Sequence, residues 1–314
     1  MRILILGAGA VGGYYGARLI EAGADVTFLV RERRAAQLAR DGLVITGADY
    51  EARLAARTVL PSGLKPEFDL VLLSCKAYDL DGAIASIRPG LGEVALALPL
   101  LNGIAHLEAL DRAFGRERVF GGSCHLAASL DESGVIRRFS PLQRIVYGVR
   151  EGNARHAPQR LGELHALFLK TPVPAVLSDN IMQELWNKFV LLSTAAGMTC
   201  LLRGAVGDIV ATERGEALML EYLECCTGVA AHAGYPLDSA QIQGIRAWVT
   251  KRGSAFTASM LRDIERGGRI ESEHVVGDML KRALAAGIPA AVLALAHCHL
   301  QTYEARRQRE QQSG

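Results

Sequence analysis

Residues 2–23 read RILILGAGAVGGYYGARLIEAG, and this stretch decides the fold. Arg2 to Leu6 is an apolar, strand-like run. It passes straight into GAGAVG, which sets Gly7, Gly9 and Gly12 in a GxGxxG pattern. Three glycines in that setting have three physical tasks. Gly7 permits a tight strand-to-helix turn, Gly9 lets a pyrophosphate approach a backbone without Cβ, and Gly12 lets the next helix pack close to the sheet. That helix offers unpaired N–H groups and the positive end of its dipole to phosphates. Gly23 stops it, and a second strand-like run, DVTFLV, follows at Asp25 to Val30. Strand, glycine turn, helix and strand make a βαβ unit. Gly7, Ala8, Gly9, Ala10, Val11 and Gly12 are therefore expected to cradle a dinucleotide.

The end of the second strand selects which dinucleotide. An NAD site usually carries Asp or Glu there, to accept from the ribose 2′-OH. Here the residue is Arg31, followed by Glu32, Arg33 and Arg34. A carboxylate would repel a 2′-phosphate, whereas a guanidinium binds one bidentately. Arg31 therefore predicts NADP(H). Arg33 and Arg34 read as the solvated start of a helix.

At 314 residues the chain is long enough for two domains. A charged fraction of 22% beside 50% apolar residues is ordinary for a soluble globular protein. A net charge of +2 gives no electrostatic footprint for nucleic acid or an anionic membrane. The apolar stretches carry polar breaks and read as too short to span a bilayer. A strand beginning at residue 2 leaves no room for a signal peptide. Cysteines 75, 124, 200, 225, 226 and 298 show no C-x-x-C pairing and read as reduced thiols of a cytoplasmic protein.

Further along, LVIT (43–46), DLVLLSCK (69–76), EVALALPL (93–100) and RVFGGSC (118–124) read as more strands of a parallel sheet covered on both faces. GVIRRF and RIVYGV, on either side of Ser140 and Pro141, read as a hairpin-like addition. A helix is expected over 157–169. Past Pro172 and Pro174 the pattern is helical throughout. SDNIMQELWNKFVLLSTAAGMTCLL (178–202) begins with a Ser/Asp cap, and helices fit 213–234, 239–252, a short segment after Ser259, 271–286 and 290–303. The last ten residues read as frayed. The expected architecture is α/β: an N-terminal Rossmann-type doubly wound sheet over 1–176, then an all-helical C-terminal domain over 177–314. The sheet should bind the cofactor at the carboxyl ends of its strands, and the helical half should supply the chemistry.

A reductase needs a proton donor and groups that orient a carbonyl. Lys76 ends an apolar strand at the ligand-binding edge; a lysine there either finds a partner or snorkels to water. Asn102, in PLLNG, sits at the same edge, where an amide can orient a carbonyl or a nicotinamide, or simply form an Asn-Gly turn. Lys188 lies in ELWNKFVLL, an otherwise apolar helical stretch. Burial there would lower its pKa and make it a proton donor near neutral pH. Ser259 and Glu271 are further candidates, though either can serve as a helix cap. The eight histidines show no metal-ligand spacing, and no metal is expected.

Five blocks of this chain, ILGAGAVGGYYGARL, SCKAYD, PLLNG, LWNKF and SMLRDIERGGRIESEH, resemble the ketopantoate reductase (2-dehydropantoate 2-reductase) family over nearly the whole length. The resemblance implies a cytoplasmic, NADPH-dependent reduction of a 2-oxo acid, with the product entering pantothenate and coenzyme A synthesis. It also implies a small-molecule substrate and is compatible with a homodimer. By motif, Lys188 matches the catalytic lysine, Glu271 the acid near the substrate hydroxyl, and Ser259 the substrate-binding serine. Asn102 matches the asparagine of the NG turn, Lys76 the lysine beside cofactor and substrate, and Arg31 the 2′-phosphate arginine. Two positions depart from the family. Leu192 and Ala196 stand where asparagines are usual, four and eight residues after the lysine and hence on its helical face. Leu101 stands where Gln is common. These departures raise two alternatives, a reductase of a more apolar 2-oxo acid and a non-catalytic NADP(H)-binding sensor.

Overall fold

In the computed structural model, which describes every residue except 48, 93, 94, 313 and 314, the opening stretch forms β1 (Arg2–Leu6), α1 (Ala10–Glu21) and β2 (Asp25–Leu29). Gly7 takes φ +85°, and its N–H donates to Leu29 O at 2.9 Å. That left-handed turn is open to glycine at no steric cost. A Cβ on Gly12 would fall on Ser74 Oγ and lie 2.5 Å from the Gly7 carbonyl oxygen. Helix and strands thus approach as closely as glycine allows. Gly12→Ala is expected to destabilise the protein by about 1–3 kcal/mol, as overpacking does. Thermal unfolding checks this, and an unchanged Tm would show that the contact relaxes freely.

Next come α2 (Glu32–Asp41), β3 (Leu43–Thr46), β4 (Ala52–Leu54), β5 (Arg57–Val59), β6 (Leu70–Leu73), α3 (Leu80–Ile87) and β7 (Leu96–Pro99). One sheet runs β5-β2-β1-β6-β7, every pair parallel. β2 flanks β1 on one side and β6 on the other, so the chain changes direction across the sheet at β1. This is the topological switch point of a doubly wound sheet, where ligands bind. Leu6 pairs with both Leu29 and Leu73, so the carboxyl ends of β1, β2 and β6 are level. β6 is buried throughout and β1 at Ile3, Leu4 and Ile5, as expected of strands covered on both faces.

Then follow α4 (Ala105–Phe114), β8 (Gly121–Leu130), β9 (Ile136–Gly148), α5 (Ala157–Phe168) and β10 (Ala175–Leu177). Here the structure corrects the expectation of a single parallel sheet. LVIT and the GGSC end of RVFGGSC belong to a second, mixed sheet, ordered β10-β9-β3-β4 with β8 antiparallel to β9, while Val119 bridges Ala97 of β7 in parallel. β3 buries only Leu43 and Ile45, the alternation of a strand with one covered face. The first two residues of EVALALPL lie outside the described residues. GVIRRF and RIVYGV are not the two arms of a hairpin but parts of one strand, β9. Leu126 pairs with Gln143 and Ala128 with Arg138, so residues 139–142 bulge opposite Ala127. Pro141 sits in that bulge, where its missing N–H disturbs no ladder. The core of this region holds Tyr15, Tyr147 and Phe168, with Phe168 centroids 6.2 Å and 5.9 Å from the two tyrosine rings. Arg150 grips Asp111 of α4 through two nitrogens, at 2.8 and 2.7 Å.

The chain continues with α6 (Ile181–Leu202), α7 (Val206–Val210), α8 (Gly215–His232), α9 (Ser239–Val249), α10 (Ser259–Glu265), a π-helical turn at Glu273–Gly277, α11 (Asp278–Ala285) and α12 (Ala291–Gln312). Two compact units result. One comprises Met1–Leu101 and His106–Glu184; the other comprises Asn102–Ala105 and Leu185–Gly314. The expected junction after residue 176 falls inside the first unit, which runs on through β10 and the first turn of α6. Asn180, rather than Ser178 or Asp179, caps α6: its Oδ1 accepts from Gln183 N at 3.3 Å.

By length and composition α6 could cross a membrane, contrary to the sequence reading, but 72% of its most apolar window is buried inside the protein. Trp186 of α6 stacks on Tyr235 at 5.8 Å, with the Arg282 guanidinium 5.5 Å from the Trp186 ring. The C-terminal decapeptide is not frayed where it is described. It continues α12 to Gln312, supported by Arg306–Glu310 and Arg307–Gln311 pairs at 2.7 and 3.1 Å. No disulfide joins the cysteines among the described residues, and burial pushes the Cys200 and Cys226 thiols up to about 12, which keeps them protonated and inert.

Candidate active site

The first unit gathers one set of expected residues at the carboxyl edge of the parallel sheet. A Cβ on Gly9 would meet nothing within 4 Å, so the backbone there is open to an approaching group. Gly9 is also the N-cap of α1, which has no side-chain cap and no acidic residue in its first turn. Its leading N–H groups, at Ala10, Val11 and Gly12, therefore have no intrahelical acceptor and present the positive end of the helix dipole. Arg31 follows β2 as the N-cap of α2 and is exposed. Lys76 lies three residues beyond the end of β6, half-buried at the start of a 3-10 turn over Ala77–Asp79. Ser74, two residues before it, donates its Oγ proton to Leu6 O at 3.2 Å and ties that strand end to the glycine loop. Bare backbone, an uncapped helix N-terminus and cations at the switch point together suit a dinucleotide diphosphate.

Arg33 is exposed, as expected of a solvated helix start. Arg34 is not: it is half-buried and hydrogen-bonded to the glycine loop. Its position one turn into α2 was the sole signal in the sequence.

The second unit gathers another set. Asn102 is half-buried and followed by Gly103 at φ +76°. A Cβ on Gly103 would come 2.6 Å from His274 O and 3.4 Å from the His274 ring. The NG turn thus lies directly against the segment that begins with Glu271, whose carbonyl accepts from His274 N and Val275 N, each at 3.2 Å. Glu271 is half-buried. Burial lowers the His274 pKa from its ordinary value, while the Glu271 and Asp278 carboxylates pull it upward. His274 escaped the sequence reading because its partner in the fold, Gly103, is remote in the chain. Lys188 and Ser259 are carried by two further elements of this unit.

Lys188 is half-buried on α6, one turn before the half-buried Leu192 and two turns before the buried Ala196. Ser259 is exposed and is the first residue of α10, whose N-cap is Ala258. It is therefore not the cap that its position suggested. The Gly103–His274 contact brings the Asn102 turn and the Glu271 segment together; as residue types, an ammonium, a carboxylate, an amide and a hydroxyl can donate a proton and orient a small carbonyl acid.

Residues 3–152 match the family model described as ketopantoate reductase PanE/ApbA, and residues 180–304 match the model of its C-terminal part. The chain belongs to the ketopantoate reductase family. It is thus an enzyme of the oxidoreductase class. An uncharacterized oxidoreductase of Bacillus subtilis (strain 168), YkpB, is 35% identical over 98% of this chain and 100% of its own. The 2-dehydropantoate 2-reductase of Pyrococcus horikoshii is 27% identical over 90% of this chain and 91% of its own. Among solved structures, a PanE/ApbA family ketopantoate reductase from Ralstonia eutropha JMP134 superposes with a TM-score of 0.87 at 27% identity, covering 98% of this chain and 100% of that one. D-mandelate dehydrogenase, solved with NADH and anilino(oxo)acetate, reaches a TM-score of 0.86 over 98% of this chain and 99% of that one. At 20% identity the latter likeness is one of fold.

Proposed function

We propose that this ketopantoate reductase family member reduces a 2-oxo acid to a 2-hydroxy acid with NADPH, its leading substrate being 2-dehydropantoate (ketopantoate), converted to pantoate for pantothenate synthesis in the cytoplasm. The observation that carries the reading is the half-buried Lys188 ammonium on α6, beside the buried Leu185, Trp186, Phe189 and Val190. An ammonium is a proton donor of the kind a carbonyl reduction needs, and Lys188 is the one cationic side chain on that helix. The cofactor, when bound, supplies the hydride. Gly7, Ala8, Gly9, Ala10, Val11 and Gly12 hold its diphosphate, Arg31 its 2′-phosphate, and Lys76 and Asn102 its nicotinamide end.

Lys188 donates a proton to the substrate carbonyl oxygen, which becomes the product hydroxyl. Asn102 orients that carbonyl, Ser259 and Lys76 take the carboxylate, and Glu271 accepts a hydrogen bond from a substrate hydroxyl. Steady-state rates with NADPH and a panel of 2-oxo acids test the reading. The kcat/KM for ketopantoate should exceed that for branched and aromatic 2-oxo acids lacking the hydroxyl. Turnover of none of them would overturn it.

Leu192 and Ala196 favour a second reading, a more apolar 2-oxo acid. Apolar side chains leave the face of Lys188 without amides to read a hydroxyl, and sharp discrimination between substrates comes from polar readers. The same panel separates the two readings.

A further inference from the structure

Ala8, between the first two glycines of the loop, has its carbonyl held by one side chain. Arg34 donates to Ala8 O from Nε at 3.2 Å and from Nη2 at 2.8 Å. Its Nη1 donates to Gln37 Oε1 at 2.7 Å and to Gly134 O at 2.9 Å, and Gln37 Nε2 donates to Ser133 O at 2.5 Å. The turn between β8 and β9 that offers those carbonyls is itself pinned. Asp131 accepts from Ser133 Oγ, Val135 N and Arg137 Nε at 2.6, 2.9 and 2.7 Å. These donors bring its carboxyl down to about 2, so it stays ionised. One guanidinium thus joins α2, the β8–β9 turn and the glycine loop.

A peptide group is planar and trans, so its C=O and N–H point opposite ways. Fixing Ala8 O on Arg34 aims the Gly9 N–H away from α2. Gly9 on its far side makes that peptide easier to rotate, because glycine populates both signs of φ. Without Arg34 the loop would have several orientations of comparable energy.

We propose that Arg34 is a positioning residue for the cofactor: it locks the Ala8–Gly9 peptide so that the loop is preset for the diphosphate shared by NADPH and NADH. The inference rests on the dinucleotide reading above. Its signature differs from that of Arg31, since loss of Arg34 weakens both dinucleotides alike.

The test measures Kd for NADPH and NADH on the full chain, unmutated and as Arg34→Ala, Arg34→Lys and Gln37→Ala. Arg34→Ala should raise both Kd values about tenfold or more, and by the same factor within about twofold. The KM for NADPH should rise with them while kcat changes far less, a split that general loosening of the fold would not give. Arg34→Lys, which keeps the charge but loses the planar fork, should recover part of the binding. Gln37→Ala leaves the bonds to Ala8 in place and should weaken both dinucleotides less. Unchanged Kd values in Arg34→Ala would overturn the proposal. So would a loss confined to NADPH, which would make Arg34 a reader of the 2′-phosphate. Should Arg34→Ala fail to fold, the same outcomes in Arg34→Lys decide. Failure of the unmutated chain to bind either dinucleotide would instead remove the cofactor reading itself.

Discussion

Replacing Lys188 with alanine is expected to lower kcat by about two orders of magnitude or more while leaving the Kd for NADPH nearly unchanged. General acid catalysis contributes on the order of 10²–10⁴ in rate, and a proton donor that acts only as the oxygen gains charge is lost from kcat rather than from cofactor binding. The helix itself should tolerate the change, since alanine is the best helix former and Lys188 is only half-buried. Single-turnover rates with the preferred 2-oxo acid isolate the chemical step. A kcat close to that of the unmutated protein would refute the assignment of Lys188 as the acid. It would also leave Glu271 and the neighbouring His274 as the titratable groups to examine next.

The second large effect concerns cofactor choice. Arg31→Ala, and more so Arg31→Asp, should weaken NADPH far more than NADH. A charge-assisted hydrogen bond to a phosphate is worth roughly 1.5–3 kcal/mol, about ten- to a hundredfold in affinity. Aspartate adds repulsion of the 2′-phosphate and an acceptor for a ribose 2′-OH, which should bring NADH ahead. Arg31 is exposed at the N-cap of α2 with no side-chain cap bond, so Tm should hardly move. Equal loss for the two dinucleotides would show that Arg31 does not distinguish them. Measured beside the Arg34 variants, the ratio of the two Kd values separates a residue that reads the 2′-phosphate from one that sets the loop.

The opening βαβ unit was legible because its signals are local. A glycine turn, an apolar strand before it and a helix after it lie within residues 2–30. The helical half was legible for the same reason, through apolar spacing, although its expected caps at Ser178, Asp179 and Ser259 are not the ones observed. The second sheet was not, because β3 finds β9 by pairing Ile45 with Ile136 across several intervening strands and helices, and no short window records such a partner. The reading of 136–148 as two arms failed because Pro141 looks like a break, whereas a bulge takes it out of the ladder. Arg34 shows the same limit within the site. As a residue type it suits a solvated helix start, and its bonds to Ala8 and Gly134, 26 and 100 residues away, make it structural. Lys188, Asn102 and Glu271 could be named from sequence because each is a polar residue in an apolar or turn setting. The packing of Gly103 on His274 could not.

Asn102–Ala105 groups with the helical half although the chain on either side belongs to the sheet-bearing half. This has a consequence for any attempt to take the protein apart. A fragment expressed from residue 185 onward would be missing a piece of its own body, and the peptide at His274 would lie bare where Gly103 should cover it. The complementary fragment would carry Asn102 with nothing to lay it on. The gene cannot be cut once to yield two intact halves, so the two lobes are expected to be inherited, expressed and lost together.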